Sequence, residues 1–104
     1  MFALVVKFDL IDAERAVGFD KLVAETVERI AEYEPGTLVY VTHAVEGEPL
    51  SRIFYEVYRD REAFDEHERQ PHTRQFLAQR DEYIAAHRVE FLTPDAAKGL
   101  PTAD

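Results

Sequence analysis

The chain has 104 residues, no cysteine, and 21 acidic against 12 basic side chains for a formal net charge of -9. That length suits one domain around one core, and the lack of cysteine excludes disulfides, thiol catalysis and thiolate zinc sites. The acidic balance argues against a nucleic-acid backbone or an anionic membrane surface as partner, since both call for clustered Lys and Arg.

Hydrophobic residues make up 46% and charged residues 32%, the composition of a folded globular domain rather than a disordered one. The apolar opening, Met1 to Leu10, is interrupted by Lys7 and Asp9 and has no basic leader. No apolar run nears the roughly 20 residues of a membrane span. A cytoplasmic protein is expected.

Residues 2–10 predict a first strand, with Phe2, Leu4, Val6, Phe8 and Leu10 on one face. Its second face, Ala3 and Val5 before Lys7 and Asp9, is apolar enough for a central strand. Asp12 caps a helix in which Ala16, Phe19, Leu22, Val23, Val27, Ile30 and Ala31 recur at helical spacing. Gly18 weakens its first turns, and Pro35-Gly36 stops it.

Residues 37–45 predict a second strand, with Leu38, Tyr40, Thr42 and Ala44 on one face and Val39, Val41 and His43 on the other. The turn Glu46-Gly47-Glu48-Pro49 leads to a third strand over 52–59, antiparallel to the second. Asp60 caps the next helix, which presents Ala63, Phe64 and His67 inward. Pro71 interrupts it, and a second helical piece over about 72–85 presents Phe76, Leu77, Tyr83 and Ile84 inward. Arg88 to Leu92 forms a short last strand, and residues 94–104 are expected to be a tail behind a domain of residues 1–93.

The order β-α-β-β-α-β is the ferredoxin-like α+β arrangement. Helices cover one sheet face, and the bare face is suited to stacking on a second copy.

Three segments in that order carry a more specific likeness. They are Glu34-Pro35-Gly36-Thr37-Leu38-Val39-Tyr40, then Phe54-Tyr55-Glu56-Val57-Tyr58 with Asp60, then Ala63-Phe64 followed by His67 and His72. With them, residues 2–92 resemble the antibiotic biosynthesis monooxygenase family, in its quinol-oxidising, YgiN-like branch. The resemblance implies a dimeric α+β barrel with one pocket per subunit between sheet and helices. It also implies oxidation of a quinol or polycyclic phenol by O2 without flavin, haem or metal, the anionic substrate supplying the electrons. Some relatives place a Trp in the pocket; this chain has none, and His67 stands at that position of the second helix. The haem ligand of a related branch would fall near Leu77, which argues against haem degradation.

His67 and His72 are the candidate bases, because imidazole can accept and return a phenolic proton near neutral pH. The alternative for each is a partly exposed helix histidine. Their spacing, even with Glu66, Glu68 and His43 as extra ligands, matches no zinc motif, so no metal is expected. Tyr40, Phe64 and Phe76 are expected as apolar pocket walls, and His43 as either pocket or interface. Glu56 alternates with Phe54 and Tyr58 inside a strand, and a buried carboxylate there demands a partner. Arg52, Lys7 or a second subunit's Arg could serve, and a salt bridge across a dimer is the favoured expectation; a catalytic carboxylate of raised pKa is the other. The functional expectation is a cofactor-free monooxygenase acting on a small aromatic substrate as a homodimer. The competing one is a dimer that binds a small molecule without chemistry, or is stress-related.

Overall fold

A computed structural model describes residues 1–101 of the chain. Four strands, β1 (Phe2–Leu10), β2 (Thr37–Val45), β3 (Glu48–Tyr58) and β4 (Ile84–Leu92), form one antiparallel sheet in the order β2-β3-β1-β4. Three helices, α1 (Ala13–Tyr33), α2 (Arg61–Arg69) and α3 (Pro71–Gln79), complete the ferredoxin-like α+β fold. Of the expected tail, residues 94–101 form neither helix nor strand, and residues 102–104 lie outside the described residues.

Register follows the alternation in the sequence. Val6 pairs with Phe54 and Val89, and Leu4 with Glu56 and Phe91, so these side chains share the helix-covered face. Tyr40 pairs with Glu56 and joins them, while His43 pairs with Ile53 on the opposite face. The core is aromatic. Phe8 meets Phe54 at 4.9 Å and Phe19 at 5.3 Å between ring centroids, and Phe76 closes the group from α3. Each such buried ring contributes roughly 2–3 kcal/mol through area removed from water.

Both long-helix starts form as the sequence predicts. Asp12 accepts from the Arg15 amide and Asp60 from the Ala63 amide, each at 2.8 Å. Arg52 bridges sheet to α1 through two bonds to Asp20 at 2.9 and 3.0 Å.

Several boundaries differ from expectation, for local reasons. Strand β3 begins at Glu48 rather than 52 because Gly47, at φ 78°, supplies the positive φ that tightens the hairpin. Helix α3 ends at Gln79; one 3-10 turn over Arg80–Glu82 follows, and β4 begins at Ile84 instead of 88. Tyr83 and Ile84 still pack on the core, but from a turn and a strand. Within α1, Val27 is half-buried and Ala31 exposed, while Thr26 takes the inner stripe. Its hydroxyl donates to the Leu22 carbonyl at 2.8 Å and so is satisfied in an apolar setting.

Two glycines are needed for space. A Cβ on Gly18 would lie 2.5 Å from the Tyr83 ring, and one on Gly36 would lie 2.8 Å from the Ala63 Cβ. The second approach brings α2 close to the α1–β2 turn, which sets up the site.

Candidate active site

A cavity of about 280 Å³ lies between the helix-covered sheet face and helices α2 and α3. Its walls include Phe54 from β3, Tyr40 from β2, Phe64 from α2 and Phe76 from α3. It opens beside β4, where His87, Val89 and the largely exposed Phe91 border it. Of the two imidazoles that border it, that of His87 is exposed and that of His67 is buried.

The chain brings a carboxylate to that imidazole from far away in sequence. Pro35 excludes α-helical backbone at the residue before it. Glu34 accordingly leaves the helix at φ -124°, ψ 76°, while its amide still bonds the Ile30 carbonyl at 3.1 Å. Its side chain turns inward, and the residue is 7% exposed. Glu34 Oε1 accepts from Thr37 Oγ1 at 2.7 Å and lies 2.7 Å from His67 Nδ1. Its Oε2 bonds His72 Nε2. Gln70, held extended before Pro71 at φ -65°, ψ 141°, separates α2 from α3 and lets both histidines reach one carboxylate.

Burial alone would raise the Glu34 pKa, but hydrogen bonds from His67, Thr37 and His72 outweigh it and hold the carboxyl below its usual range. An ionised carboxylate only accepts. The His67 proton is therefore assigned to Nδ1, which leaves Nε2 as a bare acceptor when the ring is neutral. That nitrogen stands 4.0 Å from Glu56 Oε1.

Within the chain, two of the expected Glu56 partners are engaged elsewhere: Arg52 with Asp20, and Lys7 with Glu48 at 3.4 Å. The Glu56 carboxyl instead accepts from the Tyr58 hydroxyl at 2.5 Å and faces His67. Burial pushes its pKa to about 7, against the opposing pull of Tyr58 and His67. Two buried carboxyls thus flank one imidazole with opposite shifts, the ionised one holding the ring and the other poised to exchange protons. Burial, then the charges of Glu56, Glu34 and Glu68, raise the Tyr40 phenol well above its ordinary value. Tyr40 therefore stays a neutral hydroxyl wall.

The sequence-predicted residues separate into three groups. Tyr40, Phe64, His67 and Phe76 meet at the cavity. His72 reaches the same carboxylate from behind and borders a groove of about 540 Å³ between α1 and α3. His43 lies exposed on the far face of β2, its Nδ1 2.8 Å from the Ile53 carbonyl. The groove is larger than the cavity, but Glu25 and Arg29 on its α1 wall are exposed, whereas the cavity holds the buried acid–base groups. Chemistry is better served by the smaller space, where low dielectric strengthens each interaction.

Glu34 and Arg80 are the residues that sequence reasoning missed. Glu34 read as a helix-end marker, although it continues the buried stripe Phe19, Val23, Thr26, Ile30 by four residues. A carboxylate on an apolar stripe was the available signal. Arg80 borders the cavity, and its Nε is, among the described residues, the one buried side-chain nitrogen or oxygen without a hydrogen-bond partner. Asp81 lies 3.8 Å from it, too far for a bond. No signal in the sequence distinguishes Arg80 from other helix-end arginines. Among the described residues no group of three or more His, Asp or Glu is placed to hold a metal ion, and no helix is long and apolar enough to cross a membrane.

The antibiotic biosynthesis monooxygenase family model matches residues 1–79. No curated protein matches the chain significantly. Among solved structures, a candidate antibiotic biosynthesis monooxygenase from Bacteriodes thetaiotaomicron VPI-5482 superposes with a TM-score of 0.85 at 23% identity, over 97% of this chain and 94% of that one. A Mycobacterium tuberculosis protein gives 0.83 at 24% identity, over 93% and 98%. A further candidate family member from Nitrosomonas europaea gives 0.82 at 16%, over 90% and 98%. At such identities the structural likeness carries the fold alone. The family match, over most of the chain, carries membership: the protein belongs to the antibiotic biosynthesis monooxygenase family.

Proposed function

We propose that the protein is a monooxygenase that oxidises a quinol-like or polyphenolic aromatic substrate with O2, without a resident cofactor, and that His67 is its base. The observation that carries this reading is the Glu34–His67 bond at 2.7 Å, which aims a bare imidazole nitrogen at an aromatic-walled cavity. A carboxylate that fixes the tautomer and steadies the imidazolium is a recurring arrangement where histidine serves as a general base.

In this reading the substrate ring packs against Tyr40, Phe64 and Phe76, and its hydroxyl faces His67. Proton transfer to Nε2 breaks the O–H bond and leaves an electron-rich anion. The anion reduces O2; one oxygen atom enters the ring as a carbonyl and the other leaves as water, the substrate supplying all the electrons. The partly exposed Arg80 guanidinium stabilises the anion, which gives its buried, unpartnered Nε a role. Glu56 exchanges protons with His67 as the reaction closes.

A homodimer formed through the helix-free sheet face belongs to the same proposal. That face carries Val5, Val41, Tyr55 and Leu92, with Val41 43% exposed, an apolar surface that a second copy would cover.

Oxygen uptake with a panel of quinols and polycyclic phenols tests the reading. Substrate-dependent uptake that falls about 10²–10⁴-fold in His67→Gln is expected. No uptake above the uncatalysed rate with any of them would leave a binding dimer as the function.

A further inference from the structure

Glu34 is a single anion shared by two imidazoles, each bonded to a different oxygen of it. The rings open onto different spaces. His67, 5% exposed, borders the cavity. His72 borders the α1–α3 groove and lies against the Tyr33 ring, 6.4 Å between centroids. One carboxylate neutralises one imidazolium and leaves a second uncompensated. Two groups that share a counter-ion this closely titrate as a coupled pair.

We propose that His72 is a positioning residue that sets the proton affinity of His67 through Glu34, so that a proton gained by His67 from the cavity is matched by one lost from His72 to the groove. This rests on the acid–base reading of His67. For this exchange His72 must start with protons on both nitrogens and His67 with one on Nδ1, so that with Glu34 ionised the three groups sum to zero charge. The substrate O–H bond breaks, and its proton forms an N–H bond at His67 Nε2. Glu34 then faces two imidazolium ions, and His72 gives its Nδ1 proton to water in the groove. The sum is again zero, and nothing is oxidised or reduced.

Other charges face the pair without duplicating this link. Glu56 and Tyr58 from β3, Tyr40 from β2 and Glu68 from α2 lie on the cavity side, with Arg80 and His87 across it. Glu25 and Arg29 from α1 border the groove, and Arg59, Glu62 and Glu66 line a recess beside Glu34. Among the described residues, Glu34 alone is hydrogen-bonded to both rings.

Imidazole nitrogen NMR on the full chain, without substrate, reads the coupling directly. The four histidines are assigned by single substitutions, with exposed His43 and His87 as references. In the unsubstituted protein the His67 resonance is expected to titrate in two steps, one tracking His72. In His72→Gln it becomes one step, moved to higher pH by about one unit, since Glu34 then serves His67 alone. In Glu34→Gln it moves to lower pH. A His67 curve unchanged by His72→Gln overturns the proposal. Should that variant not fold, single-step independent curves for His67 and His72 in the unsubstituted protein overturn it equally. Because no turnover is involved, a failed coupling is distinguishable from an absent oxidation activity.

Discussion

Glu34 and His67 lie 33 residues apart in the chain, yet their side chains meet at 2.7 Å in a site where both are almost fully buried. That pair couples stability to the proposed chemistry, because the carboxylate that orients the base also fills a place in the apolar layer between α1 and α2. Removing one partner of such a buried pair leaves the other uncompensated, at a cost of about 3–5 kcal/mol. Glu34→Gln keeps the shape and one acceptor oxygen but turns the other into an amide donor, and is expected at the low end, about 3 kcal/mol in urea or guanidinium unfolding.

The same pair predicts an acid limb. The Glu34 pKa in the folded protein lies below its ordinary value of 4.5, through hydrogen bonds that outweigh burial. Its contribution is therefore complete above pH 4.5 and is lost as pH falls through the lower, folded value. Unfolding free energy measured from pH 6 down to pH 3 should decline in the unsubstituted protein and decline less in Glu34→Gln.

Glu56 predicts the opposite slope. Its folded pKa is raised from 4.5 to about 7, burial being the main cause. The folded state then holds a proton that the unfolded chain releases, so stability is full below pH 4.5 and lost as pH rises through about 7. The loss is on the order of 3 kcal/mol if all of the shift is expressed. Glu56→Gln should flatten this decline and be the more stable protein at pH 8, as read by denaturant midpoints at pH 5 and pH 8.

Gly18 offers a test of packing against propensity. Alanine inside a helix gains about 1 kcal/mol over glycine, yet here its Cβ would sit 2.5 Å from the Tyr83 ring. Overpacking of this kind typically costs 1–3 kcal/mol. Gly18→Ala should therefore lower the thermal midpoint, and Tyr83→Ala in that background should reverse the sign of the glycine substitution.

Arg80→Gln should lower kcat/KM by about 10²–10³-fold, the typical effect of removing a donor that stabilises a developing anion. Its thermal midpoint should move little, because the Arg80 Nε makes no hydrogen bond to lose. Steady-state oxygen uptake and a melting curve read the two effects separately.

Periodicity and caps made most of the fold legible. Alternation in β1 and β3, the Asp12 and Asp60 caps and the Pro35 and Pro71 breaks each act within a few residues. The β4 start was not legible, because Tyr83 and Ile84 satisfy a helical stripe as well as a strand opening. The candidate site was legible in its walls and in His67, which carry residue type and helix face together. Its anchor was not. Glu34 meets His67 only after α1, the Pro35 turn and α2 are all in place, and the approach depends on Gly36 lying against Ala63. Glu56 announced itself as a buried carboxylate, but its partner Tyr58 sits two residues along the same strand face, where charge pairing pointed to arginine or lysine.

In the proposed chemistry a Glu34-held His67 takes a phenolic proton inside the cavity. Anaerobic ultraviolet titration with a quinol that supports oxygen uptake tests it most directly, because O2 is absent and the proton transfer stands alone. Phenolate absorbance is expected to appear on binding below the free ligand's pKa, and to be lost in His67→Gln while binding persists. Bound ligand that stays un-ionised in the unsubstituted protein, or that ionises equally in His67→Gln, would contradict it.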